Sequence, residues 1–236
     1  MSKLAKRPLR VFEQLLDPAT SHPAANPALL SAALGTTMDE QLARRLTQYL
    51  DLLQRWNGVY NLTSVRTREG MLTQHLLDCL AIVQSIQRQV QPKLGTRWLD
   101  VGSGGGLPGV VLAACLPQVQ VFCVDTVAKK AAFIRQTAAE LGLVNLQAIH
   151  SRVEAMPEQP FQLITSRAFA SLADFTRLTQ HLLASDGIWL AMKGRTPENE
   201  MAALPEDVVV FHVEPLNVPG LDAQRCLVWM KKKGKP

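Results

Sequence analysis

The segment Asp100-Val101-Gly102-Ser103-Gly104-Gly105-Gly106 constrains this chain more than any other, because glycines crowd together directly between two apolar runs. Such crowding suits a folded core where the backbone takes positive φ angles, or where another molecule approaches closer than a Cβ allows. The run before it, 97–101, reads as a strand, and the run after it, 110–116, reads as a helix. Strand, glycine turn and helix in that order open a βαβ unit. Further strands are expected at 119–124, 146–149, 161–165 and 188–192, with helices between them, the clearest at 127–141. This alternation predicts an α/β fold, a parallel sheet with helices on both faces. Beyond Lys193 it gives way to strand-like runs at 208–213 and 226–231, expected to close the sheet as an antiparallel hairpin.

The part before Pro92 follows a helical period instead. Thr37-Met38-Asp39-Glu40 reads as a capping box, and Leu42, Leu46, Tyr49, Leu53 and Trp56 fall on one face of the helix it would start. A second helix is expected at 69–87, after a polar connection at 57–68. Segment 17–37 is rich in Ala, Pro, Ser and Thr, and Pro18, Pro23 and Pro27 would break a long helix there. The expected organisation is therefore a flexible arm at 1–36, a helical extension at 37–92 and the α/β domain at 93–236. Apolar residues at 47% and charged residues at 19% exclude a disordered or collagen-like chain. The cysteines at 79, 115, 123 and 226 form no C-x-x-C pair and have no His at zinc-ligand spacing, so buried free thiols and no metal are expected. The first ten residues are basic but lack the apolar stretch of a signal peptide, and glycines and prolines interrupt the uncharged segment 101–124. No membrane partner and a cytoplasmic location are the expectation.

The glycine loop can be read in two registers. As D-x-G-x-G-x-G it matches the loop that class I methyltransferases wrap around S-adenosylmethionine; from Gly104, Gly106 and Gly109 it satisfies the dinucleotide fingerprint G-x-G-x-x-G. Asp125 ends the second strand, where a carboxylate can bond ribose hydroxyls in either case or cap a helix. Asp100 favours the first register, since an acidic group suits a sulfonium and repels a pyrophosphate. An NAD-dependent oxidoreductase is the alternative. Acceptor chemistry is decided after the fourth strand, at Thr165-Ser166-Arg167-Ala168-Phe169. This segment has neither the Asn/Asp-Pro-Pro-aromatic run of amino-group methylation nor a Pro-Cys nucleophile for carbon methylation. An acceptor already unprotonated, such as guanine N7, needs no general base, and orientation alone can supply roughly 7 to 11 kcal/mol. Arg167 is expected to orient cofactor or substrate phosphate by bidentate bonding. His75 and His150 each stand alone, and His75 reads equally as a packed structural histidine. Lys129, Lys130, Arg135, Arg152, Lys193 and Arg195 are expected to form a basic rim, and the lysine-rich end at 231–235 is a solvated tail or a phosphate contact.

With these residues in hand, the chain resembles the RsmG (GidB) family of small-subunit rRNA guanine-N7 methyltransferases. The resemblance runs from Trp56 to Lys193. It is carried by Trp56-Asn57, Tyr60-Asn61-Leu62-Thr63-Ser64-Val65, His75 with Leu77-Asp78, Leu99 through Gly104 and Gly106-Leu107-Pro108-Gly109, Ser151-Arg152-Val153-Glu154, Ser166-Arg167-Ala168-Phe169 and Lys193-Gly194. Gly105 departs from the family, many of whose members have Pro or Ala there. The resemblance implies a Rossmann-like class I fold. It also implies transfer of a methyl group from S-adenosylmethionine to N7 of one guanine of 16S rRNA, numbered 527 in that family's nomenclature, near the decoding region. Its cofactor contacts would fall on Gly102, Leu107, Val153, Glu154 and Arg167, joining Gly104 and Asp125 from the loop reading. Asn61, His75 and Lys193 would line the substrate side. The partner would be 16S rRNA or the small subunit, met by a monomer; a ribosome-assembly factor with a non-catalytic cofactor fold is the remaining alternative.

Overall fold

The computed structural model describes residues 26–167, 169 and 171–234. Most of the expected arm and the final residues of the lysine-rich end therefore lie outside the described residues. A seven-stranded sheet in the order β3-β2-β1-β4-β5-β7-β6 forms the centre. Its strands are β1 (Arg97–Val101), β2 (Gln120–Asp125), β3 (Leu146–His150), β4 (Phe161–Ser166), β5 (Leu183–Lys193), β6 (Val208–Leu216) and β7 (Arg225–Lys232). Strands β1 to β5 pair in parallel, and β7 runs antiparallel to both β5 and β6, so the expected closing hairpin is present. Strand β5 starts five residues before the expected run, and a register shift opposite Phe161 and Leu163 accommodates the polar Ser185-Asp186-Gly187 inside it.

Helices cover both faces, which is why β1 and β2 read as continuous apolar runs rather than alternating ones. They are α1 (Pro27–Leu34), α2 (Glu40–Tyr60), α3 (Arg68–Met71), α4 (Asp78–Leu80), α5 (Val83–Val90), α6 (Gly109–Cys115), α7 (Ala128–Glu140), α8 (Leu172–Thr179) and α9 (Glu198–Ala202). One apolar cluster joins the N-terminal helices to α6, α7 and one sheet face, with Tyr49, Leu53, Trp56 and Phe133 in it. A second fills the other face around Phe122, Phe161, Phe175 and Trp189. None of the helices is long and apolar enough to cross a membrane, among the described residues.

Three local expectations are corrected. Residues 27–34, placed in the flexible arm, are helical, because Pro27 occupies the first helical position, Asn26 caps it through Ala28 N–H, and Gly35 at φ 77° ends it. Asp39, not Thr37, caps α2, accepting from Leu42 N–H at 2.8 Å. The single helix expected at 69–87 is broken into α3, a π-helical turn at Leu72–Leu77, α4 and α5. That interruption sets the orientation of Gln74, His75 and Asp78, and π turns of this kind recur at functional sites.

The order reverses between β1 and β4, and in open α/β sheets the crevice at such a point, beyond the carboxyl ends of the strands, takes ligands. Gly109 lets α6 sit close beneath it: a Cβ there would lie 2.2 Å from Cys123 Sγ and 3.0 Å from Asp100 Oδ2. Gly109→Ala is expected to cost about 1–3 kcal/mol of stability, read as a lowered urea midpoint with unchanged slope.

Candidate active site

Two carboxylates at the ends of neighbouring strands pin the glycine loop. Asp100, fully buried at the end of β1, accepts from Gly109 N–H at 3.0 Å through Oδ2. Asp125, buried at the end of β2, accepts from Gly104 N–H through Oδ2 and from Val127 N–H through Oδ1, both at 2.9 Å. From the helical side Tyr49 donates its hydroxyl hydrogen to the Gly105 carbonyl at 2.7 Å. Gly105, the departure noted above, is thereby held rather than loose. Gly102, at φ +68°, has no atom within 4 Å of where a Cβ would stand, since that space belongs to the crevice.

Asp100 has a different role from the one its charge suggested. It faces the buried side and closes the first turn of α6, where the second register would seat a pyrophosphate; a fixed carboxylate at that helix start opposes the dinucleotide reading. Burial lifts Asp100 to a pKa of about 6, against the hydrogen bonds from Gly109 and Ser103 that lower it.

Three adjoining cavities open along the crevice. The largest, about 410 Å³, has Gly102, Asp125, Lys130, Arg152, Val153 and Glu154 among its walls. It shares Gly102 and Lys130 with a narrower one of about 170 Å³, walled by Leu53, Gly104, Leu107, His75 and Arg167. A third, about 360 Å³, lies on the far side of His75 and Arg167 and is bordered by Asp78, Met192, Lys193 and Arg225. All seven expected cofactor residues thus line the first two cavities, and Arg167 also borders the third. Glu154 lies at the rim with its carboxylate lowered by its own backbone N–H and by Arg152, which donates to it at 2.5 Å.

Arg167 follows β4, whose end is tied to β1 by Ser166 donating to the Val101 carbonyl at 2.9 Å. Its Nη1 meets a row of acceptors on the interrupted helix: the Gln74 carbonyl and His75 Nδ1, both at 3.1 Å, and Asp78 Oδ2 at 3.7 Å. Nη2 and Nε have no partner among the described residues. His75 Nδ1 thus lies within hydrogen-bond reach of both the Arg167 donor and the Gln74 carbonyl, the latter at 3.0 Å, while Nε2 pairs with Thr63 Oγ1 at 2.7 Å. Burial and the Arg167 charge press the His75 pKa down to about 4, leaving the ring neutral.

Among the other expected residues, Lys193 borders the third cavity, with Nζ on Glu200 at 2.8 and 3.0 Å. Asn61 does not reach a cavity: it is the exposed, left-handed cap of α2 at φ 53°, bonded to Arg66. Of the basic rim, Lys130 and Arg152 border the first cavity, Lys193 and Arg195 border a further cavity of about 660 Å³, and Lys129 and Arg135 border none of these. His150 bonds the Thr126 carbonyl outside the site. Sequence reasoning missed the contributions of Tyr49, Thr63, Gln74, Asp78 and Arg225, whose partners lie up to 147 positions away. All four cysteines are free, and burial pushes the Cys115 thiol to about 12. No metal-ligating cluster of His, Cys, Asp and Glu occurs among the described residues.

The family model described as GidB, rRNA small subunit methyltransferase G, matches residues 42–228. The chain belongs to this family. Proteins named ribosomal RNA small subunit methyltransferase G from Methylibium petroleiphilum and Acidovorax ebreus are 59% and 57% identical to it, over 81% and 84% of this chain and 86% and 91% of theirs. Among solved structures, TrmN from Thermus thermophilus superposes with a TM-score of 0.53 at 22% identity, covering 66% of this chain and 49% of that one. A SAM-dependent methyltransferase from Aquifex aeolicus gives 0.52 at 16% identity, covering 68% and 92%. These likenesses establish the Rossmann-like class I fold of this chain.

Two groups of the site predict opposite pH slopes. His75 titrates at about 4 when folded and 6.5 when unfolded, so below 6.5 the unfolded chain takes the proton first and stability falls down to about pH 4. Asp100 titrates at about 6 folded and 3.8 unfolded, so the folded state takes the proton first and gains stability over pH 6 to 4. Urea unfolding across pH 4 to 7 is expected to show that His75→Gln removes the acid-side loss, while Asp100→Asn steepens it.

Proposed function

We propose that this chain transfers the methyl group of S-adenosylmethionine to N7 of a single guanine in small-subunit rRNA, the position the resemblance indicates near the decoding region. Family membership makes it a class I methyltransferase with S-adenosylmethionine as cofactor. The two cavities around the glycine loop fit that cofactor. Val153 would support the adenine, Asp125 and Glu154 the ribose hydroxyls, and Gly102, Gly104 and Leu107 the chain leading to sulfur. Bound there, S-adenosylmethionine supplies an electrophilic methyl on a sulfonium.

The observation that carries the reading is the composition of the third cavity. Its titratable groups offer no available base: both ring nitrogens of His75 are engaged, Nδ1 by Arg167 and the Gln74 carbonyl and Nε2 by Thr63, and Asp78 is clamped between Arg167 and Arg225. An acceptor that must lose a proton before attack is poorly served, whereas guanine N7 presents a lone pair at neutral pH. Arg167 and Lys193 also border this cavity, and the guanidinium and the ammonium donate hydrogen bonds without accepting any. Such a wall suits the O6 acceptor beside guanine N7 and opposes the amino group that adenine carries there. His75 serves as a neutral spacer that orients Arg167. Lys193 supplies charge for a phosphate, so binding weakens with salt. Unstacking the base costs a few kcal/mol, less in a loop, which supports an RNA loop as acceptor. The reaction would take place in the cytoplasm, with one copy of the chain acting on rRNA or the small subunit.

The test is transfer of labelled methyl to small subunits, and separately to deproteinised rRNA, from cells lacking this gene. Labelled 7-methylguanosine at one site is the expected product. Another labelled nucleoside overturns the N7 assignment, and cofactor binding without transfer to either acceptor turns the reading toward an assembly factor. In the same preparation Gly102→Val, which drives a branched side chain into the crevice from a left-handed backbone position, is expected to weaken S-adenosylmethionine binding at least about tenfold by calorimetry.

A further inference from the structure

Asp78 is the one carboxylate bordering the third cavity among the described residues, its side chain is only 3% exposed, and it lies against two guanidiniums from strands β4 and β7, at the same end of the sheet with β5 between them. Arg225, at the start of β7, donates from Nε to Oδ1 at 3.0 Å and from Nη1 to the Gln224 carbonyl at 2.9 Å. Arg167, at the end of β4, approaches Oδ2 at 3.7 Å. Burial raises the Asp78 pKa and both arginines pull it back. A buried carboxylate needs one good cationic partner, and Arg225 already provides it. The second guanidinium leaves the group with a net positive charge, and Nη2 and Nε of Arg167, which borders both the second and third cavities, stay unengaged among the described residues. Gln74, His75 and Asp78 all grip the same Nη1, so the grip fixes the guanidinium plane while sparing its outer edge.

We propose that Asp78 and Arg225 act as a pair of positioning residues: Arg225 neutralises one carboxylate oxygen of Asp78, and the other anchors Arg167 at the wall between the cofactor and acceptor cavities. This rests on the methyl-transfer reading above. It assigns to β7, the hairpin strand farthest in sequence from the glycine loop, a part in aligning the donor edge of Arg167. Without Arg225, the Asp78 carboxylate draws the Arg167 guanidinium inward to satisfy both of its oxygens, and the free edge leaves the cavity wall. Without the Asp78 charge, two guanidiniums face each other unneutralised and Arg167 swings away.

Arg225→Met keeps the aliphatic stem at a position whose side chain is 24% exposed, so it is the variant to trust for folding; Asp78→Asn and Arg225→Lys accompany it. Steady-state methylation of small subunits is expected to show kcat lowered about tenfold or more in Arg225→Met and Asp78→Asn, with KM for the subunit within about threefold of the parent. Arg225→Lys is expected to recover most of the loss, and the double variant Asp78→Asn/Arg225→Met to be no worse than the poorer single one, because the pair acts as one unit. A raised KM with kcat unchanged would instead make Arg225 a direct acceptor contact, and additive losses would make the two residues independent; either overturns the proposal, as does unchanged kcat. The side-chain Nε–H resonance of Arg167, identified by its disappearance in Arg167→Lys, gives a readout that needs no acceptor. It is expected to shift or broaden in Arg225→Met, and an unchanged signal refutes the anchoring even where the methyl-transfer reading itself has failed.

Discussion

Two buried carboxylates hold the loop on which the site is built. Charge in an apolar interior is costly unless hydrogen-bond donors meet it: Asp125 accepts backbone N–H groups on both carboxylate oxygens, and Asp100 accepts the Gly109 N–H on one while its buried Oδ1 has no partner among the described residues. The requirement runs both ways. The carboxylates need the loop folded down, and the loop, with Gly102, Gly104 and Gly106 all at positive φ, keeps its shape because they hold it. Sidedness follows from the same bonds. With Asp100 closing the first turn of α6, the open space lies at Gly102 and Gly104, along the strand ends toward Val153 and Glu154.

The N-terminal helices belong to this site rather than merely flanking it. They share one apolar cluster with a face of the sheet, and their polar groups reach the loop and the end of β4: Tyr49 to Gly105, Gln74 and His75 to Arg167. Arg167 is where the parts meet. Burial together with its charge keeps His75 neutral, His75 is held in turn by Thr63, and the interrupted helix supplies the carbonyl and carboxylate that grip a single nitrogen. A regular helix through 72–80 would aim these groups elsewhere, which gives the π turn a physical reason.

Much of this was legible in the sequence, and the limits are instructive. All seven strands could be placed from apolar runs and the glycine loop from its composition, because burial on both faces and the demand for positive φ are local properties. Gly102, Gly104, Leu107, Val153 and Glu154 were found from the loop and the resemblance, and the structure gathers them along one crevice. Asn61 was expected on the substrate side and lines none of the three cavities; it is the left-handed cap of α2. Asp100 was read from its charge as facing a cofactor, whereas the backbone donor it accepts is that of Gly109, nine residues on. Asp78 with Arg225 and Tyr49 with Gly105 were invisible because each pair is made by the sheet order and helix packing, which no local pattern encodes. The helix at 27–34 was missed through reading Pro27 as a breaker when it was a start.

The account stands on Arg167 as the group that orients transfer between two cavities, and one comparison tests it most directly: transfer rate, cofactor affinity and unfolding midpoint, measured together for Arg167→Ala and the parent. The account predicts a rate lowered by about 10² to 10³, an affinity changed by no more than about tenfold, and an unfolding transition that stays cooperative. Transfer at the parent rate, or a loss accounted for wholly by weaker cofactor binding, would contradict it.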